Sequence, residues 1–251
     1  MHPSRTRAEN GVIVSDEQAV KPATQIAKEV DARRVVILTV GIIATVAFVV
    51  IRLIVALGGH DPLPMDVWWH ELMLTTLSDV GVLIAWVPAI VGGTIGMIVI
   101  GLLIVLAFLW RKRPWDAAHV AIAMVIVVAI GAPMSYIVAR VRPSDSLAES
   151  TATSFPSGHT AVAATVAITL AFIFRRWYVW VIGAVWVAAM MCSRTYLHAH
   201  WLSDVLAGLF EGIAVACLVW CAVEAVRDRR ALKAKEQEAA APPATSSTPA
   251  S

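Results

Sequence analysis

Two residues near position 200 have the types and the spacing of a histidine prepared for chemistry. His200 and Asp204 are four residues apart, so in a helical segment one side chain lies above the other. The carboxylate can then hold one ring N–H of the imidazole, and the other ring nitrogen presents its lone pair for nucleophilic or base work. The alternative interpretation is that His200 is an interfacial capping residue.

A second polar group, Pro156-Ser157-Gly158-His159, directly precedes a long apolar run. Ser157 is expected to be the N-cap of a helix, and Gly158 lets an anion approach the backbone closely. Free N–H groups at such a helix start favour phosphate, and His159 would stand beside the anion, where a donated proton could neutralise a departing oxygen. An ordinary helix start with an incidental histidine is the alternative interpretation.

Arg142 and Arg194 are the third component of this polar set. Each guanidinium is a forked donor suited to a phosphoryl group and to the extra charge of its transition state. Taken alone, each arginine could also be an interfacial anchor.

The elements that must position these residues are membrane helices. The chain is 59% hydrophobic and 15% charged, whereas soluble domains are roughly 45–50% apolar and 25% charged. Runs long enough to cross roughly 30 Å of hydrocarbon predict an all-α, six-helix integral membrane bundle. The predicted helices cover approximately residues 35–57, 88–110, 117–139, 158–174, 177–197 and 202–226.

The segments outside these helices have distinct compositions. Residues 58–79 carry paired tryptophans among acidic residues and prolines, which predicts an amphipathic segment in the interface. Residues 1–34 are expected to be a partly disordered cytoplasmic tail, and 227–251 a charged and then disordered cytoplasmic tail. The transmembrane domain is accordingly placed at 35–226. A net charge of +2 gives no reason to expect a nucleic-acid partner.

The positive charges predict the orientation. Sixteen of the 20 Lys and Arg residues fall in the tails and in the loops after the second and fourth predicted helices. Basic residues favour the cytoplasmic side, so both termini are expected there. The loops that carry Arg140, Arg142 and Arg194 then face outward, together with His159 and His200. We therefore expect a multi-pass protein of the plasma membrane with its polar cluster on the extracytoplasmic side.

Together these residues resemble the type 2 phosphatidic acid phosphatase (PAP2) superfamily, which shares its helical core and active site with the vanadium haloperoxidases. The resemblance covers roughly 135–208. The second family motif, Pro-Ser-Gly-His, is intact at 156–159. The third motif, Ser-Arg-x5-His-x3-Asp, is intact as Ser193, Arg194, His200 and Asp204.

The resemblance implies a role for each matched residue. His200 would attack phosphorus to form a phosphohistidine, Asp204 would orient it, and His159 would protonate the leaving group and later activate water. No metal or other cofactor is required in this scheme. The residues expected to bind the phosphate are Arg142, Arg194, Ser157 and Gly158.

The chain departs from the family at the first motif, Lys-x6-Arg-Pro. Counting back from Arg142 and Pro143 places Ser135 where the lysine should be. Arg140 could replace that cation only if the third predicted helix unwinds before it, because two positions on a helix differ by about 200°. We expect activity to be retained, since the nucleophile, its orienting carboxylate, the acid and both arginines are present.

A phosphate pocket at the membrane surface is most easily reached by a lipid, so we expect a lipid phosphate or diphosphate phosphatase. Polyprenyl diphosphate such as undecaprenyl diphosphate, phosphatidylglycerophosphate and phosphatidic acid are the candidate substrates, with the first preferred by family analogy. A lipid-linked phosphotransferase and a catalytically impaired lipid-binding protein are the alternatives. The expected partners are the bilayer and its lipid phosphate, and the oligomeric state is left open. His198 is expected to face solvent, and Glu211 to be a hydrogen-bonded helix-packing residue.

Overall fold

The computed structural model describes residues 23–240, and within them the chain folds into eight α-helices without a β-strand. The helices are α1 (Ala23–Leu57), α2 (Pro64–Thr76), α3 (Asp79–Val91), α4 (Thr94–Trp110), α5 (Pro114–Val138), α6 (Gly158–Phe174), α7 (Trp177–Tyr196) and α8 (Leu202–Ala240).

Within the described residues, four single helices are long and apolar enough to cross a membrane, and α3 and α4 form a fifth span if the pair, bent by 48° at its break, crosses together. The apolar helix α6 has 17 residues, about 26 Å at 1.5 Å per residue, and is shorter than these spans. The protein is thus a multi-pass, all-α membrane bundle, as predicted. The single-helix spans are Ala32–Leu57, Pro114–Val138, Trp177–Tyr196 and Leu202–Ala234.

The second predicted span starts earlier than expected. The prediction placed its start near Pro88, whereas α3 begins at Asp79 and contains that proline. The helix starts early because Ser78 is its N-cap, and the serine Oγ accepts the N–H of Gly81 at 3.2 Å. The chain instead breaks at Gly92–Gly93, between α3 and α4. The interfacial segment before it contains the helix α2.

Two helices extend beyond their predicted ends. Helix α1 begins at Ala23 and α8 continues to Ala240, so parts of both predicted tails are helical. An ion pair of 2.5 Å between Arg34 and Asp228 joins these extensions. This contact stabilises both charged segments as helices. The disorder expected for the outer parts of the tails falls on 1–22 and 241–251, outside the described residues.

Helices α6 and α8 pack closely in the centre of the bundle. A Cβ atom at Gly208 would lie 2.4 Å from the carbonyl oxygen of Ser157, and one at Gly212 would lie 2.5 Å from that of Ala161. This spacing of small residues lets two backbones approach, as is common between membrane helices. The N–H of Ser157 also donates to the carbonyl of Asp204 at 3.1 Å. The starts of α6 and α8 are therefore held side by side.

Candidate active site

The predicted site residues converge at the end of the bundle where α5 ends and α6 and α8 begin. One cavity of about 650 Å³ is lined there by Ser135, Arg142, Gly158, His159 and His200. Arg194, in the last turn of α7, is buried and bonded to Glu149, which also lines the cavity. Residues that are 65 positions apart in the sequence thus meet around one space.

His200 is held by a backbone carbonyl. Its Nδ1 lies 2.7 Å from the carbonyl oxygen of Ser154, and because a carbonyl can only accept, Nδ1 carries the proton. The other nitrogen, Nε2, is then the lone-pair nitrogen of the neutral ring. Burial is the main cause that lowers the pKa of His200 below its ordinary value, which favours this neutral form.

Asp204 hydrogen-bonds to the backbone next to His200 and not to the imidazole ring. Its Oδ2 lies 3.8 Å from the Nδ1 of His200, too far for a hydrogen bond, and accepts the N–H of Trp201 at 3.0 Å. The direct hydrogen bond expected from the i, i+4 spacing is therefore replaced by the Ser154 carbonyl. The carboxylate still acts on the imidazole by charge across this short distance.

Arg140 lies behind the histidine and does not line the cavity. Helix α5 ends at Val138, so the unwinding required to turn this arginine has occurred, but its guanidinium is fully buried between two acids. It donates to Asp204 Oδ1 at 2.7 Å and to Asp66 Oδ2 at 2.6 Å. Arg140 therefore does not stand in for the missing lysine of the first motif.

Asp66 extends this buried network into α2. Its carboxylate accepts the backbone N–H and the hydroxyl of Ser203 at 2.7 and 2.8 Å. The side chains of Asp66 and Arg140 are both 0% exposed. Breaking such a pair leaves an uncompensated buried charge, so α2 is fixed to the start of α8 and hence to the histidine.

Arg142 is locked into the loop between α5 and α6. Its guanidinium donates to the carbonyls of Thr151 at 2.9 Å and Thr153 at 2.5 Å, to the Thr151 hydroxyl at 3.0 Å, and to the carbonyl of Ala199. These contacts use four of its five N–H donors. The arginine thus contributes to the cavity chiefly a fixed positive charge.

Glu149 connects Arg194 with His159. Its Oε1 accepts from the Nη2 of Arg194 at 2.6 Å and lies 4.0 Å from the Nδ1 of His159. The side chain of Arg194 is 1% exposed and that of Glu149 25%. An anionic oxygen therefore lies between the arginine and the histidine.

The start of α6 is open towards the cavity. A Cβ at Gly158 would meet no atom within 4 Å, and the N–H groups of the first turn have no acceptor within their own helix. Ser157 is the N-cap as predicted, but its hydroxyl lies 3.1 Å from that of Thr160 and makes no capping bond to the backbone. Ser157 therefore helps to position the first turn of α6, and Gly158 leaves the N–H groups of that turn open to the cavity.

The cavity continues away from its polar end as an apolar arm. This arm runs between α4 and α5 and follows α5 from Tyr136 to Met124, about 18 Å at the helical rise. Ser135 lies at the polar end of the arm, and its hydroxyl donates to the carbonyl of Ala132 at 2.9 Å. The apolar lining residues are Met97, Ile98, Met124, Val127, Val128 and Ala132.

Two minor expectations were wrong. His198 was expected to face solvent, but its side chain is 2% exposed because the left-handed backbone at this residue, with φ of 51°, turns the ring inward against His70 and Asp145. Glu211 is buried in helix packing as expected. However, within residues 23–240 neither of its carboxylate oxygens has a hydrogen-bond partner.

Sequence reasoning missed the acids that contact the site residues. Glu149 lies in a polar loop whose path no periodicity fixes, and only its proximity to Arg194 reveals its role. The sequence contains only a weak indication that Asp66 matters, because an acid just after Pro64 is typical of the first turn of a helix. In the structure, its carboxylate accepts the N–H of Leu63 at 2.9 Å.

The helical membrane bundle, in which the starts of α6 and α8 meet at one polar pocket, can be compared with known proteins. The sequence profile of the PAP2 superfamily matches residues 116–228. This region holds all the motif residues described above, so the chain is similar to the PAP2 superfamily through its motif-bearing part.

Two known proteins also resemble the chain. An undecaprenyl-diphosphatase of Sulfolobus acidocaldarius is 28% identical over 120 residues, which are 45% of this chain. The matched region spans 58% of the length of that relative. The crystal structure of a transmembrane PAP2-type phosphatidylglycerolphosphate phosphatase from Bacillus subtilis superposes with a TM-score of 0.66 at 19% identity, covering 74% of this chain and 96% of that one. This second likeness concerns the fold.

Proposed function

We propose that this protein is a lipid phosphatase that releases phosphate through a phosphohistidine on His200. One observation carries the proposal: a single cavity joins a polar end, with His200, His159 and Arg142, to an apolar arm between α4 and α5. A lipid phosphate has the same two parts. Its headgroup would occupy the cationic end and its chain the arm.

In the first step, the lone pair on Nε2 of His200 attacks phosphorus, and the bond between phosphorus and the leaving oxygen breaks. His159 gives its proton to that oxygen. The lipid therefore leaves as an alcohol if the substrate is a monophosphate, or as a monophosphate if the substrate is a diphosphate. Arg194, released from Glu149, and Arg142 stabilise the charge that develops on the phosphoryl oxygens. The N–H groups at the start of α6 are further donors.

In the second step, His159 takes a proton from a water molecule, and the oxygen of that water attacks phosphorus. The bond between phosphorus and Nε2 breaks, which returns the electron pair to His200 and frees inorganic phosphate. The Ser154 carbonyl keeps the proton on Nδ1 throughout, so the same ring nitrogen is available for the next cycle.

The substrate class that we propose is an isoprenoid diphosphate, such as undecaprenyl diphosphate. The named activity of the archaeal relative supports this choice, and the length of the apolar arm is compatible with a long chain. Phosphatidylglycerophosphate, the substrate named for the B. subtilis protein, and phosphatidic acid are the next candidates.

Phosphate release by purified protein tests the proposal. We expect turnover of at least one lipid phosphate in a panel of the three classes, and loss by at least about 10³-fold in His200→Ala. His159→Ala should slow phosphate release by about 10²–10⁴-fold, because it removes the group that transfers the proton in both steps. Phosphoenzyme in the wild type that passes its phosphate to an alcohol instead of water would indicate a transferase. Lipid binding without phosphoenzyme or release would indicate an impaired binding protein.

We also propose that the site lies on the extracytoplasmic side of the plasma membrane, with both termini in the cytoplasm. The distribution of basic residues supports this orientation. In a variant without native cysteines, a cysteine at Ser146 should react with a membrane-impermeant thiol reagent on intact cells. A cysteine at Lys112, at the opposite end of the bundle, should react only after permeabilisation. The reverse pattern would refute the orientation.

A further inference from the structure

Three polar side chains meet beside the candidate active site without taking part in it. The Nε2 of His70 lies 3.1 Å from Asp145 Oδ2, and the Nδ1 of His198 lies 2.8 Å from the same oxygen. The nearest ligand atoms of the three residues all lie within 4.8 Å of one another. They come from α2, from the loop between α5 and α6, and from the turn between α7 and α8.

We propose that His70, Asp145 and His198 form a binding site for one divalent transition-metal ion, with zinc as the expected metal. Two imidazole nitrogens and one carboxylate oxygen are a ligand set that zinc prefers, with water in the fourth position. A tetrahedral site with metal–ligand distances of about 2.0–2.2 Å places its ligand atoms about 3.4 Å apart. The observed separations from Asp145 are 2.8 and 3.1 Å, and the two histidine nitrogens lie within 4.8 Å of each other, so movements of about 1.5 Å or less bring the three ligands to this geometry.

The backbone directs one ligand into this cluster. His198 has a φ of 51°, a left-handed conformation that is uncommon for residues other than glycine. This conformation turns its imidazole away from solvent and packs it against His70, with ring centroids 4.5 Å apart and the ring planes tilted by 50°. Trp201 covers His70 at 5.3 Å and limits how far that ring can move. Two of the three ligands are thus preorganised.

Charge and access also suit a cation. With neutral imidazoles the three ligands carry the single negative charge of Asp145, so a dication is electrostatically favoured. The side chain of Asp145 is 41% exposed and that of His70 is 17% exposed, which leaves a path for an ion from the aqueous side. Without metal, the two histidines can hydrogen-bond to the carboxylate, so the fold does not require the ion.

Metal binding would link three segments that surround the nucleophile. His198 is two residues before His200, and His70 is four residues after Asp66, on the same face of α2. The ion would therefore fix α2 to the turn that carries His200, next to the buried pair of Asp66 and Arg140. It lies outside the phosphate pocket, so its role is positional.

The test measures metal in the purified full-length protein in the absence of substrate. After incubation with zinc and dialysis, we expect about one zinc per chain in the wild type and in His60→Ala, a histidine at the same end of the bundle. His70→Ala, Asp145→Asn and His198→Ala should each lose it. The proposal would be overturned if the wild type retained no more zinc than these three variants, whether all of them bind the ion or none does.

A conservative variant keeps the test valid if the alanine variants fold poorly. His70→Cys removes the imidazole but supplies a thiolate, which is also a zinc ligand. With cobalt as the probe, this variant should retain the ion and gain a thiolate-to-cobalt charge-transfer band that the wild type lacks. A His70→Cys protein with a wild-type elution profile and no such band would contradict the assignment of His70.

Discussion

At the scale of single residues, the contact between Glu149 and Arg194 has a direct bearing on substrate affinity. A phosphate that binds Arg194 must displace a carboxylate held at 2.6 Å. In Glu149→Gln this competing charge is gone, so we expect KM for a lipid phosphate to fall by about tenfold, equivalent to about 1.4 kcal/mol. Steady-state phosphate release measures this change.

Glu71→Gln, on the exposed surface of α2 at the same end of the bundle, is the matched control for loss of one negative charge. Its KM should equal that of the wild type. An unchanged or higher KM in Glu149→Gln would show that the carboxylate does not compete with the phosphate.

Ser135 is the second residue whose replacement is informative. It lines the polar end of the cavity, so Ser135→Lys adds a cation where the phosphate would bind. We expect kcat for phosphate release to be preserved or raised, with Ser135→Ala close to the wild type. A drop of more than about tenfold, or 1.4 kcal/mol, in the lysine variant alone would mean that the pocket is organised around the serine.

At the scale of elements, the close contact of α6 and α8 determines whether the site assembles. Gly208→Ala would place a Cβ 2.4 Å from the carbonyl oxygen of Ser157, so the two helix starts must separate. We expect a loss of about 1–3 kcal/mol in stability, seen as a lower Tm, and a loss of kcat as His159 moves away from His200.

Gly183→Ala is the graded control for that substitution. Its Cβ would lie 3.1 Å from the Cβ of Ala167, a milder overlap than the 2.4 Å at Gly208, so a smaller change in Tm and normal kcat are expected. Wild-type stability and activity in Gly208→Ala would show that the contact of α6 and α8 does not position the site.

Helix boundaries could be predicted where they are set by residues close in the sequence. The starts of α6 and α7 and the span α5 followed from apolar runs bounded by polar motifs. The start of α3 was misjudged because Pro88 suggested a boundary, whereas the cap at Ser78 decides it.

The contacts that hold the site are long-range, and this is why the sequence did not reveal them. Arg140 reaches Asp66 over 74 positions and Asp204 over 64. The i, i+4 pattern pointed to a bond between His200 and Asp204, but the bond that forms goes to Ser154, 46 positions away. The motifs indicated residues that line one cavity, whereas the supporting partners of those residues depended on the folded chain.

At the scale of the whole molecule, the apolar arm distinguishes lipid from water-soluble substrates. Val128→Trp would fill part of the arm, because this residue of α5 lines it. We expect kcat/KM for a long-chain lipid phosphate to fall by about tenfold or more, while release from a short water-soluble phosphoester stays near the wild-type rate. Such a split separates chain binding from phosphate chemistry.

Val125→Trp is the control on the same helix. Val125 is 67% exposed and lies outside the cavity lining, so both substrates should be turned over normally. An equal loss for long-chain and short substrates in Val128→Trp would show that the arm does not hold the lipid.

The bent span also has a consequence for kinetics. Because the arm runs between α4, just past the break at Gly92–Gly93, and α5, we expect a lipid substrate to reach the enzyme from the side, by diffusion within the plane of the bilayer. The quantity that saturates the enzyme is then the mole fraction of phosphorylated lipid in the leaflet, not its amount per volume of buffer. Adding inert phospholipid at a fixed total amount of substrate should slow the reaction by surface dilution alone.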